Sequence, residues 1–158
     1  MIAVPVAGLS IFRSRDYELL ECILAEPSIY RSASDDYGWD FSLPRDERCI
    51  YLLAQDDEAL GFCAFWPQNM ACYDTHLCFL PNAYGNKASF AFKMMCDWMW
   101  RQTDARRIVG SIPTYNRLAL AFAERLGCKV YGRNPQSWKK HGKFHDQVLV
   151  GISRPEWA

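Results

Sequence analysis

Residues 79–89 read Phe79-Leu80-Pro81-Asn82-Ala83-Tyr84-Gly85-Asn86-Lys87-Ala88-Ser89. The stretch from about Cys72 to Leu80 predicts a strand, Pro81 stops it, Tyr84-Gly85-Asn86 makes a turn, and a helical pattern follows from roughly Lys87 to Gln102. A strand ending in such a turn presents a helix N-terminus, whose first backbone N–H groups lack partners and point outward. A phosphate-bearing ligand suits that position. Within the helix, Phe92, Met95 and Met99 mark the buried stripe with Trp98 alongside, and Lys93, Asp97 and Arg101 form a solvated ion-pair row opposite.

Downstream, Arg107 to Ile112 predicts a strand, and Thr114 or Asn116 can cap a helix with Leu118, Ala119, Phe122 and Leu126 on its apolar face. Gly127 supplies its left-handed stop. Cys128 to Gly132 predicts a strand, Asn134 to Lys143 a basic loop, and Gln147 to Ile152 a last strand. Upstream, Gly8 to Arg13 predicts a short strand, Asp16 caps a helix bearing Leu19, Leu20, Ile23 and Leu24, and Pro27 ends it. Ser28 to Arg48 is irregular or partly helical. Cys49 to Ala54 and Leu60 to Trp66 form a hairpin around Asp56-Asp57-Glu58. The pattern predicts one α/β domain over residues 1–158, with a mixed, mostly antiparallel sheet of about seven strands, a central parallel pair and about four helices.

The chain of 158 residues is half hydrophobic, enough for a sizeable core, and carries 18 acidic and 18 basic residues. A neutral chain has no global field steering it to nucleic acid or a membrane surface. The apolar N-terminus, Met1 to Phe12, is too short to span a bilayer and lacks a basic leader. The seven cysteines form no C-x-x-C pair and sit mostly in apolar runs, as thiols do in a reducing cytoplasm. His141 and His145 are four apart without a third ligand nearby, so no metal is expected.

Two segments resemble the GNAT N-acetyltransferases. Residues 79–89 are similar to that family's fourth strand, pyrophosphate loop and third helix. Residues 116–128 are similar to its fourth helix, with Asn116, Ala119, Phe122 and Gly127 at the patterned positions and Cys128 in place of Phe. The element order matches over nearly the whole chain, the motifs over about a third of it. The resemblance implies a central pair of strands that splay apart to admit the pantetheine arm of acetyl-CoA. It implies cofactor contacts from Leu77, Cys78 and Phe79, from Tyr84, Gly85, Asn86, Lys87, Ala88 and Ser89, and from Asn116. The chain departs from the family at Tyr84, Lys87 and Ser89, where the loop has Arg or Gln, then Gly, then Gly or Ala, and at Ala123, where a Tyr often stands. Lys87 opposes the helix dipole unless an anion lies beside it.

The implied activity is direct acetyl transfer from acetyl-CoA to a small-molecule or peptide amine. Asp74 and His76 share one face of their strand and can deprotonate the acceptor. Tyr115 can protonate the leaving thiolate. Cys78 shares the face of Asp74 and His76 but reads as a buried thiol rather than a nucleophile. The acidic-aromatic segment Tyr30 to Phe41 falls where the family binds its acceptor, so Asp35, Asp36 and Trp39 are candidate acceptor contacts. The basic patch Trp138 to Lys143 reads as a solvated hairpin loop, which disfavours nucleic acid. Family members often dimerise. A second reading is a GNAT-fold protein without catalysis, like the small GNAT-like proteins that tailed phages encode, some tied to virion assembly.

Overall fold

The structure is a computed structural model that describes residues 6–38 and 42–156. Seven strands form one sheet: β1 (Ser10–Arg13), β2 (Ile50–Gln55), β3 (Ala59–Pro67), β4 (Cys72–Phe79), β5 (Arg107–Pro113), β6 (Lys129–Lys140) and β7 (Lys143–Ser153). Their order is β1-β2-β3-β4-β5-β7-β6, and every neighbouring pair is antiparallel except β4 and β5. Among the described residues, four α-helices complete the fold, α1 (Tyr17–Leu24), α2 (Pro27–Ala33), α3 (Asn86–Gln102) and α4 (Arg117–Arg125), with a 3-10 turn at Pro81–Ala83 before α3. No helix among the described residues is long and apolar enough to cross a membrane.

Strand alternation divides the core in two. On one face, Leu52, Cys63, Phe65, Tyr73 and Phe79 pack against Ala91, Phe92, Met95 and Met99 of α3. On the other, Tyr51, Leu53, Phe62, Ala64 and Cys78 pack against Leu20, Ile23 and Leu24 of α1 and Ile29 of α2. The apolar stripe of α3 is the one its spacing predicts.

Four sequence expectations change. Pro27 does not merely end α1; it opens α2 at its first position, where a missing N–H is harmless, and Glu26 caps it. Residues 134–140 are not a loop: β6 runs to Lys140 and turns into β7 through His141 and Gly142, both at positive φ, as a two-residue hairpin turn requires. Leu118 is 84% exposed; α4 buries Ala123 and packs Phe122 and Leu126 instead. No ion pair joins Lys93, Asp97 and Arg101, although they do lie on the outer side of α3.

The parallel pair sets the architecture of the site. β4 and β5 match only at Cys72–Arg107, Tyr73–Ile108 and Asp74–Val109, whereas β4 stays registered with β3 out to Phe79 and β5 with β7 out to Pro113. Beyond Thr75 the two strands part. Gly61 lets the end of β4 lie tight against β3: a Cβ there would stand 2.4 Å from the Cys78 carbonyl oxygen and 2.6 Å from Phe79 Cα, at a φ of +136°. Gly61→Ala is therefore expected to destabilise the fold by about 3 kcal/mol, a fall of roughly 10 °C in Tm. Calorimetric melting within about 2 °C of wild type would show that β4 does not depend on this approach.

Candidate active site

Backbone alternation shows what faces the gap between β4 and β5. Leu80 donates its N–H to Leu60, and Cys72 accepts from Gln68, so the even-numbered residues of β4 turn their amides towards β3. The odd-numbered ones turn towards β5, as the Ala71 carbonyl does in accepting from Arg107. Leu77 and Phe79 thus present N–H and C=O groups to the gap where β5 no longer pairs with them. Cys78 turns the other way. Its side chain is buried, and burial pushes its thiol up to about 12, which suits core packing rather than nucleophilic attack.

The gap leads to the head of α3. Asp16 caps α1, Glu26 caps α2 and Asn116 caps α4, each with a side-chain oxygen, but α3 begins at Gly85 with no side-chain cap among the described residues. Its first helical hydrogen bond runs from Ser89 N–H to the Gly85 carbonyl at 3.2 Å, leaving the amides of Asn86, Lys87 and Ala88 directed outward. Gly85 adopts φ +90° and ψ −131°, a conformation open to glycine almost alone, and a Cβ there would meet nothing within 4 Å. Tyr84 is exposed in the same turn, Ala88 is buried beneath it, and Ser89 Oγ donates to the Gly85 carbonyl. Lys87 does have an anion beside it, Asp56 of the β2–β3 turn, with Nζ to Oδ2 at 2.6 Å. Asn116 accepts from Ala119 N–H at 3.2 Å as the cap of α4, which leaves its amide NH2 uncommitted among the described residues.

The opposite face of the gap carries the titratable groups. His76 Nε2 lies 3.5 Å from Asp74 Oδ2, and its ring rests on the Trp66 indole, centroids 4.4 Å apart. Trp66 Nε1 donates to Tyr51 Oη, which donates to the Pro44 carbonyl, so the indole beneath His76 is anchored through β2. His76 borders a cavity of about 210 Å³ whose other walls are Ala33, Ser34, Asp35 and Gly38, at and beyond the end of α2, and Trp138 of β6. Trp138 Nε1 donates to Tyr115 Oη at 2.9 Å, and the Tyr115 ring meets His145 edge-on. Tyr115, His76 and Asp35 thus gather around one wall residue, Trp138, which lies in a strand and not in the loop that its basic surroundings predict. The signal was available: His141-Gly142 between two runs is a two-residue hairpin turn. Trp39 lies outside the described residues.

Asp36 does different work from Asp35. Its Oδ1 accepts from His141 N–H at 2.7 Å, its Oδ2 from Gly142 N–H at 2.8 Å, and its own N–H donates to the Lys139 carbonyl at 2.9 Å. Lys140 Nζ donates to the carbonyls of Arg31 and Ser34 at the end of α2, where a cation complements the helix dipole. The basic tip of the hairpin is therefore clamped onto α2 and its loop, which fixes Trp138 in the cavity wall. No cluster of metal-ligating side chains occurs among the described residues.

No protein-family model and no curated protein sequence matches this chain. Solved structures match its fold. Spermidine N-acetyltransferase from Vibrio cholerae, solved with CoA and spermine, superimposes with a TM-score of 0.78 at 13% identity, over 94% of this chain and 96% of that one. A GNAT-family acetyltransferase from Streptococcus pneumoniae gives 0.74 at 19% identity, over 92% and 99% of the two chains. The chain has the GNAT fold. YncA from Salmonella typhimurium, solved with its cofactor acetyl-CoA, gives 0.72 at 15% identity, over 94% and 95%. In GNAT terms the diverging strands are the fourth and fifth, and the uncapped helix is the third.

The clamp predicts a pH dependence. The N–H groups of Gly142 and His141 hold the Asp36 carboxyl below its ordinary value. A depressed folded-state pKa gives stability that is full above the unfolded value near pH 4 and lost as pH falls through the lower folded one. Asp36→Ala should lower Tm at pH 7, and its gap to wild type should narrow below about pH 4. A gap unchanged down to pH 2.5, or no gap at pH 7, would contradict the clamp.

Proposed function

We propose that this protein is an N-acetyltransferase that moves an acetyl group from acetyl-CoA directly to a primary amine. The observation that carries the reading is the parting of β4 and β5. It leaves the amides of Leu77 and Phe79 facing a gap that runs to the uncapped head of α3. The same fold holds CoA or acetyl-CoA in the Vibrio and Salmonella structures. The residues fit such a ligand: extended backbone donors and acceptors for an amide-bearing arm, and outward amides at Asn86, Lys87 and Ala88 for its phosphates.

Bound acetyl-CoA would supply the acetyl thioester. The Leu77 N–H is then the donor for the thioester oxygen. An acceptor amine arriving through the cavity must shed a proton, since its ordinary pKa is near 10. His76, steadied by Trp66 and Asp74, is the base, directly or through water. The Asp35 carboxylate attracts the cationic form of the acceptor, and Tyr115 returns a proton to the leaving sulfur. The acceptor is a small amine or the amine of a peptide end, on the scale of the 210 Å³ cavity.

Two observations favour a second reading, a GNAT-fold binding protein without turnover. Lys87 is tied to Asp56, and buried Ala123 stands where the family often has Tyr. The two readings separate in the test tube. Calorimetry should detect acetyl-CoA binding, and Gly85→Val should weaken it about tenfold by straining the turn. Release of free thiol in the presence of an amine panel should follow, with His76→Ala lowering kcat/KM by about a hundredfold. Binding without turnover selects the second reading, robust turnover on an amine rules it out, and absence of binding at millimolar acetyl-CoA contradicts the first.

A further inference from the structure

We propose that Trp138 is a positioning residue for proton delivery, its indole N–H fixing the Tyr115 phenol while its ring walls the acceptor cavity. The inference rests on the acetyltransferase reading and deepens it.

Three observations converge. Trp138 Nε1 donates to Tyr115 Oη at 2.9 Å, so one oxygen lone pair is occupied and the phenolic hydrogen must point elsewhere. His145, the cross-strand partner of Trp138, meets the Tyr115 ring edge-on at 4.7 Å, so the ring is held from a second side. Trp138 also lines the cavity with His76 and Asp35. One indole therefore touches the acceptor's space and the proton donor's oxygen together.

The aim of Trp138 is built, not incidental. Between Asn134 and Trp138 the register of β6 slips against β7, with three residues opposite Asp146 alone. Asp146 holds this bulge by accepting from Gln136 N–H at 2.9 Å and from Arg133 Nε at 2.8 Å, and its carbonyl accepts from Thr114 N–H beside Tyr115. Asp36 and Lys140 fasten the far end of the hairpin. The bulge re-aims the indole towards Tyr115, and the two fastenings keep it there.

The chemistry balances. The amine nitrogen lone pair forms the C–N bond as the C–S bond breaks. The sulfur keeps that bond's electron pair and takes the Tyr115 proton. The ammonium gives one proton to His76 before attack and the nitrogen loses a second as the amide forms, both passing through His76 to solvent, and solvent restores the phenol. The groups facing Tyr115 are Asp35 and Asp36 from the loop after α2, His145 from β7 and Trp138 from β6. Burial pushes the phenol above its ordinary value, the Trp138 N–H opposes this, and the two carboxylates add to it. Trp138 is thus the neighbour that offsets part of that rise and favours release of the phenolic proton.

The test compares Trp138→Phe, which keeps a ring wall, with Tyr115→Phe and the double variant, all checked for wild-type melting. Tyr115→Phe should lower kcat about a hundredfold and Trp138→Phe about tenfold, with the KM for the amine within about twofold and the double variant no slower than Tyr115→Phe. Trp138→His, which restores a ring N–H, should recover part of kcat. Independently of turnover, the Tyr115 signal in tyrosine-labelled carbon NMR should titrate about one pH unit higher in Trp138→Phe. An unmoved titration, an unchanged kcat, or a loss confined to KM overturns the role of Trp138 and leaves the acetyltransferase reading standing. A wild-type protein that binds acetyl-CoA yet acetylates no amine overturns that reading and this role with it.

Discussion

The structure depends on one broken pairing. Two parallel strands in the middle of a sheet share three residue pairs and then separate, while each keeps its outer neighbour to the end. Backbone amides inside a sheet are normally paired, because leaving them bare in a dry interior costs about as much as a lost hydrogen bond. Here β5 no longer pairs with them, and in the proposed function a ligand takes over their bonding. Gly61 holds β4 against β3 on one side, and the long β5–β7 ladder holds the other. Each wall of the gap thus keeps its outer neighbour, and both of its mouths are set by the elements that leave its strands.

Those mouths differ in chemistry. One opens towards α3, where bare amides and a glycine turn suit an anion. The other opens towards α2 and the β6–β7 hairpin, where Asp35, His76, Trp138 and Tyr115 suit a cationic nucleophile and its protons. Access to the gap from opposite faces of the sheet is the feature on which the proposed direct transfer rests. The hairpin matters as much as the strands, because it carries Trp138 and is fastened by charge-assisted bonds from Asp36 and Lys140.

Most of the fold was legible because its signals are local. Pro81 and Gly85 punctuate a strand and a helix, Asn116 and Asp16 cap helices, and Phe92, Met95 and Met99 repeat at helical spacing. The splayed pair came from the resemblance, since nothing in periodicity says where two parallel strands part. The sequence shows the hairpin turn but not that its arms are strands as far as Lys140 and from Lys143, because their composition is basic and polar and the bulge around Pro135 and Gln136 breaks strand alternation. Reading that arm as loop hides the role of Trp138, and with it the reason Tyr115 sits where it does. The separate roles of Asp35 and Asp36 were also invisible: two adjacent carboxylates look alike until the backbone they face is known. Lys87 was read as in need of an anion, and Asp56 is one, brought from 31 residues upstream by the sheet.

Amide hydrogen exchange, read residue by residue with and without CoA, tests the central claim most directly. If the gap holds the ligand, the amides of Leu77 and Phe79 and of Asn86, Lys87 and Ala88 exchange readily in the free protein and become protected together on addition of CoA. If they are already protected without ligand, the strands are not open. If they stay unprotected at saturating CoA, the ligand binds elsewhere, and the account of the site is wrong.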